Sequence, residues 1–377
     1  MRVALVNLTT TTKIGGVETF VRQLARFLAA RDIDVSIFGG APARGEEMPT
    51  VPGVTVRTLP YIDRAQFRRV PLLARQYGAA KLLERTSFAL HARAILESGD
   101  FDIIHIHKPF DFPLAAWLRA RTRARVVYSS HGRDFFPGDK RFIGSIDVLT
   151  ACSRYNAADV LARYGCEARV IYNGVDVDQF SPQTPDPARW QRLVKPGLPV
   201  ALWAGRLVRW KGTVDAVRAV ALARSPVHLC IAGTGPEESR LRDAARSLGI
   251  ADRVHFLGNV PHEELPALLA ATQVALGTSF ANETFGMTLA EASACARPVI
   301  ATDFGGFPEV VRDGETGLLV PPRDPARLAA AIDAIIGNPA DAARMGAAGR
   351  VFVTAAFAWP TVTERVIAAY EEALDAH

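Results

Sequence analysis

Cysteine is scarce in this 377-residue sequence, and no two cysteines form a CxxC pair. That scarcity argues against a zinc knuckle and against a disulfide framework, so we expect reduced, buried thiols. Long hydrophobic runs are also missing. No stretch reaches the roughly 18 uncharged apolar residues that span a membrane, and the first apolar run, Val3 to Leu8, is too short for a signal peptide. The cysteines are Cys152, Cys166, Cys230 and Cys295.

The excess of positive charge is small. Lys and Arg number 44 against 39 Asp and Glu, which gives a formal net charge of +5. Over this length the excess is too dilute to require a nucleic-acid partner. Fixed-period repeats and low-complexity tracts are absent, which excludes solenoids and disordered chains. At about 100–200 residues per domain, the length allows two domains.

What the sequence does contain is an alternation of short apolar runs and helical patterns. Val3 to Leu8 is typical of a strand, and a helix with regularly spaced apolar residues follows the Gly15–Gly16 loop. The alternation restarts at Val200 and continues to Val320. Buried strands that alternate with helices predict parallel sheets in an open α/β fold.

A proline-rich stretch divides the two series. Residues 181–199 contain five prolines and form the best linker candidate. We therefore predict two Rossmann-like domains, residues 1–180 and 181–360, because a single sheet would need some dozen strands in one layer. The tail, residues 361–377, is predicted to hold a helix over 361–374. Its apolar stripe is Val362, Val366, Ala369, Tyr370 and Leu374.

The densest cluster of candidate functional residues covers residues 279–306. Glu283 precedes a helix predicted to begin near Gly286 or Met287, and Glu291 lies one to two turns inside it. The free N–H groups of a first helical turn carry partial positive charge, so this helix start is a natural phosphate seat. Two carboxylates eight residues apart are as typical of a solvated face. The glycine at 286, which lets backbone approach a ligand, favours a site.

A second cluster follows the predicted strand at 200–204. Arg206 and Lys211 lie in one short loop beyond its carboxyl end, where open α/β sheets bind ligands. A guanidinium fork and an ammonium suit a diphosphate. Taken alone, the pair is explained slightly better as two exposed surface cations. A third loop, around Gly233, again follows a strand and is weak evidence by itself.

Three histidines lie near strand ends in the first half of the chain. His105 and His107 alternate on one strand, which fits either a metal pair or half-buried packing, and no third ligand stands out. A core histidine is the default explanation for His131. Its position after VVYSS, at the carboxyl end of a strand, favours function instead.

A basic stretch covers residues 64–85, where apolar side chains interleave with cations. This pattern is expected of a segment that lies on an anionic membrane, and it would fit a lipid-linked or phosphorylated acceptor. A solvated helix face explains it about as well. The cations are Arg64, Arg68, Arg69, Arg75, Lys81 and Arg85.

Together these motifs resemble those of the retaining glycosyltransferases of family 4, which have the GT-B fold. The resemblance covers the paired glutamates, the two diphosphate cations, the amino-terminal GG loop, the histidine of the first domain and an NGVD segment. It spans nearly the whole chain, although residues 40–100 match only general architecture. The matching residues are Glu283 and Glu291, Arg206 and Lys211, Gly15 and Gly16, His131, and Asn173 to Asp176.

The resemblance implies a role for each matching residue. Glu283 and His131 would contact the donor sugar as the catalytic residues, and Glu291 would bind the ribose. Arg206 and Lys211 would carry the charge of the departing nucleoside diphosphate. Anomeric configuration would be retained without a metal or cofactor. Further donor contacts would come from Gly15, Gly16, Gly233, Phe285, Gly286, Met287 and Thr288.

The same resemblance implies the fold and the reaction. Two Rossmann-like domains would face each other across a cleft, with a carboxyl-terminal helix crossing back to the amino-terminal domain. A sugar would move from a UDP- or GDP-linked donor to a hydroxyl of a glycan, glycolipid or small molecule, as in cell-envelope synthesis. The acceptor-binding residues are unassigned. We expect a cytoplasmic protein, either free or peripheral at the inner face of the membrane.

The sequence also bears on three other functions. A Rossmann dehydrogenase is excluded, because no GxGxxG follows the first strand and the second ends in Phe38-Gly39-Gly40 instead of an acidic residue. A sugar-nucleotide epimerase or hydrolase of the same fold stays open, as does a non-catalytic partner subunit.

Overall fold

The structure is a computed structural model that describes residues 1–13, 15–43, 48, 50–70, 76–183 and 197–375. It divides into two compact units, Met1–Gly174 with Trp359–His377, and Val175–Ala358. Val175 donates its backbone N–H to the carbonyl of Phe357 at 2.8 Å, which joins the two ends of the second unit. Residues 184–196, most of the predicted linker, lie outside the described residues.

Over the described residues, the strands form two parallel sheets. The strands of the first unit are β1 (Arg2–Val6), β2 (Asp34–Gly40), β3 (Thr55–Leu59), β4 (Ile103–Ile106), β5 (Arg125–Ser130), β6 (Val148–Ala151) and β7 (Arg169–Val170). Those of the second unit are β8 (Val200–Ala204), β9 (His228–Ala232), β10 (Val254–Gly258), β11 (Val274–Gly277), β12 (Val299–Thr302) and β13 (Gly317–Val320).

Helices connect most of these strands. In the first unit they are α1 (Gly16–Ala29), α2 (Arg64–Phe67), α3 (Tyr77–Ser98), α4 (Phe112–Arg119) and α5 (Arg154–Tyr164). In the second unit they are α6 (Thr213–Leu222), α7 (Glu238–Ser247), α8 (Leu265–Ala270), α9 (Met287–Ala294), α10 (Phe307–Val310), α11 (Pro325–Gly337) and α12 (Pro339–Phe357). The last helix, α13 (Trp359–Asp375), belongs to the first unit.

The sheet of the first unit has the order β3-β2-β1-β4-β5-β6-β7. Both of its faces are buried, as the near-continuous apolar strands predict. Because successive side chains point to opposite faces, Val3 and Leu5 join the core beside α1, whereas Ala4 and Val6 join the core beside α3 and α4. The alternation of strands and helices confirms the predicted α/β class.

Helix α13 completes the core on one face of this sheet. Val362, Val366, Ala369 and Tyr370 are buried there, as the predicted stripe requires. The stripe continues at Ala373 and not at Leu374, whose side chain is exposed. Each large apolar side chain buried in this way stabilises the unit by about 1.5–3 kcal/mol.

The sheet of the second unit has the order β10-β9-β8-β11-β12-β13. In each sheet the strand order reverses next to the first strand, between β1 and β4 in one and between β8 and β11 in the other. Open α/β sheets bind ligands beyond the carboxyl ends of the strands at this point of reversal. The loops after β8 and β11 carry the candidate residues of the second unit.

Candidate functional site

The loops after β8 and β11 are held together by direct contacts. Thr278 accepts a hydrogen bond from Trp203 Nε1 at 3.0 Å and donates its hydroxyl to the carbonyl of Lys211 at 2.8 Å. Gly212 has φ +66°, and a Cβ there would lie 2.1 Å from the Thr278 carbonyl oxygen. Only glycine fits this close approach, which sets the position of Lys211.

Lys211 and Glu283 form an ion pair at the centre of this loop cluster. The Lys211 ammonium lies 2.7 Å from Glu283 Oε2, and the Ser279 hydroxyl donates to the same oxygen at 2.9 Å. The Glu283 side chain is 10% exposed and that of Lys211 24%. Among the described residues, we find no hydrogen bond to Glu283 Oε1. The carboxylate is therefore fixed by one oxygen and can accept from a ligand with the other.

The backbone of Glu283 is supported by the loop after β12. The N–H of Gly306 donates to the Glu283 carbonyl at 3.0 Å. Gly305 has φ +63°, and a Cβ there would lie 2.1 Å from the same oxygen. The segment Asp303 to Gly306, which the sequence placed within the candidate cluster, thus acts by positioning Glu283.

Helix α9 begins at Met287, as predicted, and Gly286 precedes it with φ +111°. Phe285 is buried beneath this start, and the Thr288 hydroxyl lies 3.4 Å from the carbonyl of Ala204 at the end of β8. The first turn of α9 therefore lies beside the carboxyl end of β8. Its unpaired N–H groups give that place partial positive charge.

Glu291 lies one turn inside α9 and is buried. Its Oε1 is 2.7 Å from Nε2 of His262, whose ring packs 5.0 Å from that of Phe180. His262 is a site residue that was not predicted from the sequence. Its signal was available, since it follows the end of β10 by a few residues, in a loop at the same edge of the sheet.

Arg206 and Gly233 have different surroundings from the other predicted donor-site residues of the second unit. The Arg206 side chain is exposed, and among the described residues we find no ion pair for it, in contrast to Lys211. Gly233 has φ +143°, and a Cβ there would lie 1.8 Å from the Gly205 carbonyl oxygen. Gly233 therefore allows the loops after β8 and β9 to touch, which explains the glycine without a ligand.

In the first unit, His131 follows β5 and contacts two aromatic side chains. Its ring centroid lies 4.7 Å from that of Phe20 on α1, and its Nε2 is 3.3 Å from Nδ1 of His107. Burial, with Lys108 and His105 adding to it, lowers the pKa of His131 to about 3. His131 is therefore neutral near pH 7, which suits a hydrogen-bonding role.

The Gly15–Gly16 pair lies at the start of α1. Gly15 precedes the helix in extended conformation, and a Cβ there would meet Glu18 Oε2 at 2.5 Å. The other oxygen of Glu18 accepts from the Thr9 hydroxyl at 2.5 Å. Ile14 lies outside the described residues. The structure thus places the glycine loop and Phe20, which contacts His131, on the same helix.

His105 and His107 are both fully buried. His105 lies 2.7 Å from the Tyr370 hydroxyl and 2.7 Å from Ser129 Oγ, and burial lowers its pKa to about 3. Burial and the neighbouring His105 and His131 hold the pKa of His107 well below its ordinary range. Among the described residues, no three His, Cys, Asp or Glu side chains are grouped to hold a metal. Of the two explanations offered for this histidine pair, a metal site or packing, His105 fits packing.

Only some of the cations in the basic stretch are exposed at the surface. Arg85 pairs with Asp111 at 2.7 Å with both side chains buried, and the Lys81 ammonium lies 2.9 Å from Asp134. Arg64 pairs with the buried Glu84. The interpretation of these three cations as membrane-facing or solvated is therefore wrong, because each is largely buried itself and is paired with a carboxylate. Arg68 and Arg69 are exposed, and Arg75 lies outside the described residues.

A cluster missed by the sequence analysis joins Lys81, Lys108 and Asp134. Lys108 follows β4, and its ammonium lies 2.7 Å from Asp134 Oδ2, while Lys81 contacts Oδ1. Burial alone would raise the pKa of Asp134, but the two ammonium groups hold it well below its ordinary value. No sequence pattern joins these positions, because they come from α3 and from the loops after β4 and β5.

Across the described part of the chain, no helix is both long and apolar enough to pass through a bilayer.

Each unit is a Rossmann-like parallel sheet, and the second carries an ion-paired carboxylate and cation at its strand reversal. Two family models match the chain: "Glycosyltransferase Family 4" over residues 14–179 and "Glycosyl transferases group 1" over residues 186–352. The chain belongs to glycosyltransferase family 4. It is an enzyme that transfers a glycosyl group.

Relatives and solved structures agree with this assignment. The chain is 34% identical to a D-inositol 3-phosphate glycosyltransferase of Acidothermus cellulolyticus, over 96% of this chain and 86% of that protein. It is 30% identical to a phosphatidyl-myo-inositol mannosyltransferase of Mycobacterium leprae, over 95% and 93%. A sucrose-phosphate synthase from Thermosynechococcus elongatus, 24% identical, superimposes with a TM-score of 0.83 over the full length of both chains. The predicted GT-B fold is confirmed.

Proposed function

We propose that this glycosyltransferase moves a sugar from a nucleoside-diphosphate sugar, linked to UDP or GDP, to a hydroxyl of a phosphorylated polyol. The observation that carries the donor half is the Lys211–Glu283 ion pair beside the start of α9. The acceptor class rests on the printed names of the curated relatives, several of which are D-inositol 3-phosphate glycosyltransferases.

The pair suits the two sides of the bond that breaks. Lys211 would meet the diphosphate together with Arg206 and the free N–H groups of Met287 and Thr288. Charge that grows on the leaving group is stabilised most by donors already in place. Glu283, held through Oε2, would accept a sugar hydroxyl with Oε1.

The remaining donor contacts follow the same logic. The buried Glu291 would accept hydroxyls of the ribose, with His262 holding its second oxygen. In the first unit, neutral His131 would hydrogen-bond the donor sugar, and the Gly15–Gly16 loop would lie against the donor. We propose retention of anomeric configuration with Glu283 as a binding group, since Oε2 is occupied by Lys211 and Ser279. Leaving-group charge would be carried by cations, so the reaction would need no metal.

Lys81 and Lys108 would bind the acceptor phosphate. Both ammonium groups lie beyond the carboxyl ends of β4 and β5, at the ligand-binding edge of the first sheet. Two lysines as point charges are common phosphate ligands in proteins.

A lipid-bearing acceptor is the second candidate. Arg68 and Arg69 are exposed beside Val70, whose side chain is 49% exposed, and basic residues among apolar ones suit an anionic bilayer. The relative from Mycobacterium leprae is named for a phosphatidyl-inositol acceptor. Peripheral membrane association is therefore proposed, and co-sedimentation with anionic vesicles, compared with the double variant Arg68→Ala/Arg69→Ala, tests it.

The principal test is a transfer assay with UDP-, GDP- and dTDP-sugars against inositol phosphate and unphosphorylated inositol. We expect nucleoside diphosphate release only when the phosphorylated acceptor is present, and a product with the anomeric configuration of the donor by NMR. Donor hydrolysis at the same rate without any acceptor would contradict the proposal in favour of a hydrolase. Inversion in the product would contradict retention.

A further inference from the structure

Asp134 is arranged between the two acceptor-side lysines as a bound anion would be. Its two oxygens are divided between them, with Oδ1 at 2.9 Å from the Lys81 ammonium and Oδ2 at 2.7 Å from that of Lys108. Lys81 also lies over the ring of Phe110, 4.6 Å from the ring centroid. The nearby Arg85 is already paired with Asp111. The three groups together carry one net positive charge.

The burial of the three side chains is unequal. The Lys81 side chain is 9% exposed and that of Lys108 is 16% exposed, whereas Asp134 is 42% exposed. Burial lowers the pKa of Lys81, and Asp134 is the main group that opposes this change. The lysines are thus fixed parts of the interior, and the carboxylate is the outer, solvent-facing partner. Moving it aside would not require unpacking of the core.

We infer that Asp134 is a specificity-determining residue that occupies the anion seat formed by Lys81 and Lys108 and yields it to a phosphate monoester. This inference rests on the proposed function for the identity of the acceptor. A phosphate monoester carries about −1.5 to −2 charges at pH 7 and three acceptor oxygens. It can satisfy two ammonium groups better than a single carboxylate can. A carboxylate ligand, with one charge, would gain nothing over Asp134.

Because Asp134 already occupies the site between the two ammonium groups, a ligand must displace it in order to bind. A ligand must supply more charge than the side chain that it displaces, so hydroxyl and carboxylate compounds are rejected and phosphate monoesters accepted. Discrimination of this kind depends on a competing group and not only on favourable contacts. Since Asp134 lies three residues after His131, exchange of the carboxylate would also occur in the loop that carries His131.

The direct test measures binding of inorganic phosphate by calorimetry, with the full-length protein in a buffer free of phosphate and sulfate. For Asp134→Asn we expect phosphate to bind about tenfold more tightly than to wild type, which corresponds to about 1.4 kcal/mol. Asp159→Asn is the matched control. It removes the same charge from another ion pair, with Arg133, and should leave phosphate affinity unchanged.

A double variant tests whether the gain in phosphate affinity arises at the Lys81–Lys108 site. In Asp134→Asn/Lys108→Gln the gain should disappear, because only one lysine remains, whereas phosphate bound near Lys211 in the second unit would be unaffected. Equal phosphate affinity in wild type and Asp134→Asn would overturn the inference. A gain that persists in the double variant would overturn it as well.

Folding of the variant gives an independent measurement. Without its carboxylate, the lysine pair is repulsive, so Asp134→Asn should melt at a lower temperature than wild type and recover in phosphate. A loss of stability that phosphate does not restore would show that the seat does not accept the exchange. Neither readout uses a donor sugar, so failure of the transfer reaction and failure of this inference are separable.

The two sources of a phosphate monoester can then be compared. Glycerol 3-phosphate presents the group in solution, and vesicles that contain phosphatidic acid present it on a membrane. Tighter binding of either by Asp134→Asn than by wild type supports the exchange and identifies which source the seat reaches. If Asp134→Asn binds neither glycerol 3-phosphate nor the vesicles more tightly than wild type does, the inference is overturned.

Discussion

The Tyr370 hydroxyl lies 2.7 Å from Nδ1 of His105, across 265 residues of sequence. The other ring nitrogen of His105 is 2.7 Å from Ser129 Oγ, which is 2.6 Å from the Thr150 hydroxyl. A neutral imidazole has one donor and one acceptor nitrogen, so both are used. This row of buried polar groups links α13 to β4, β5 and β6.

Removal of the hydroxyl should destabilise the first unit. Tyr370→Phe leaves Nδ1 of His105 buried without a partner, which costs about 1–3 kcal/mol of unfolding free energy. Urea unfolding measures the change, with Glu371→Gln on the exposed face of the same helix as the control. A loss equal to that of the control would contradict the role given to this hydrogen bond.

Stability should also fall with acidification. His105 has a pKa of about 3 in the folded protein and an ordinary value of 6.5 when unfolded. The unfolded chain therefore binds a proton first, and the folded state loses stability progressively as pH falls from about 6.5 toward 3. Between pH 7.5 and 5.5 this one residue contributes a loss of about 1.4 kcal/mol. His107 and His131 act in the same direction.

Urea titrations at the two pH values check this effect. His105→Gln should show a smaller difference between pH 7.5 and 5.5 than wild type, even though its absolute stability is lower. His91→Gln, at an exposed position, should keep the wild-type difference. Equal unfolding free energies of the wild type at both pH values would be inconsistent with buried neutral histidines.

Glu283→Gln should remove transfer while the fold is kept. Glutamine preserves the size and the contact with Ser279, but it loses the charge that pairs with Lys211 and fixes the sugar. We expect kcat to fall by at least about 10²-fold, as for other preorganised groups. Glu315→Gln on the surface of the same unit is the control. Near wild-type turnover by a folded Glu283→Gln protein would refute the assignment.

If both Lys211 and Arg206 meet the leaving diphosphate, their Ala variants should show the same kinetic change but different changes in thermal stability. Replacing either by Ala should lower kcat more than it raises KM, because the charge develops in the transition state. Lys211→Ala should also lower thermal stability, since Glu283 loses its cation, whereas Arg206→Ala should not. Arg209→Ala, exposed in the same loop, is the control. A change in KM alone would reduce both cations to ground-state binding.

The proposed metal-free mechanism predicts that activity survives EDTA. The cations and the start of α9 would already neutralise the leaving group, so a divalent ion has no charge left to balance. Initial rates are compared with and without chelator, in protein treated beforehand to remove bound metal. Loss of activity on chelation with recovery in Mg²⁺ or Mn²⁺ would overturn this part of the proposal.

Local signals sufficed for the fold and for the loops that carry the candidate residues of the second unit. The period of the apolar residues predicted the strands and α1, and Gly286 predicted the start of α9. The sequence assigned Lys211 and Glu283 to two separate loop clusters, and the structure brings them together because β8 and β11 are neighbouring strands.

Other relationships have no local signal. Gly233 is fixed by the backbone of Gly205, and the Asp134 seat joins three elements far apart in sequence. The interpretation of Arg85 as a surface cation was wrong for the same reason. The sequence shows that Arg85 is charged, but it does not show that Asp111 lies 2.7 Å from it. Such contacts depend on tertiary packing, which a sequence period cannot encode.

The position of α13 in the first unit has a consequence for synthesis. Translation proceeds from the amino end, and domains fold as units while the chain emerges. The residues Val175–Ala358 form a continuous unit that can close its core as soon as it leaves the ribosome. The first unit, although made earlier, must wait for Val362, Val366 and Tyr370 to cover its sheet. It is therefore the last to mature, and until then the nascent chain presents an apolar face suited to chaperone binding.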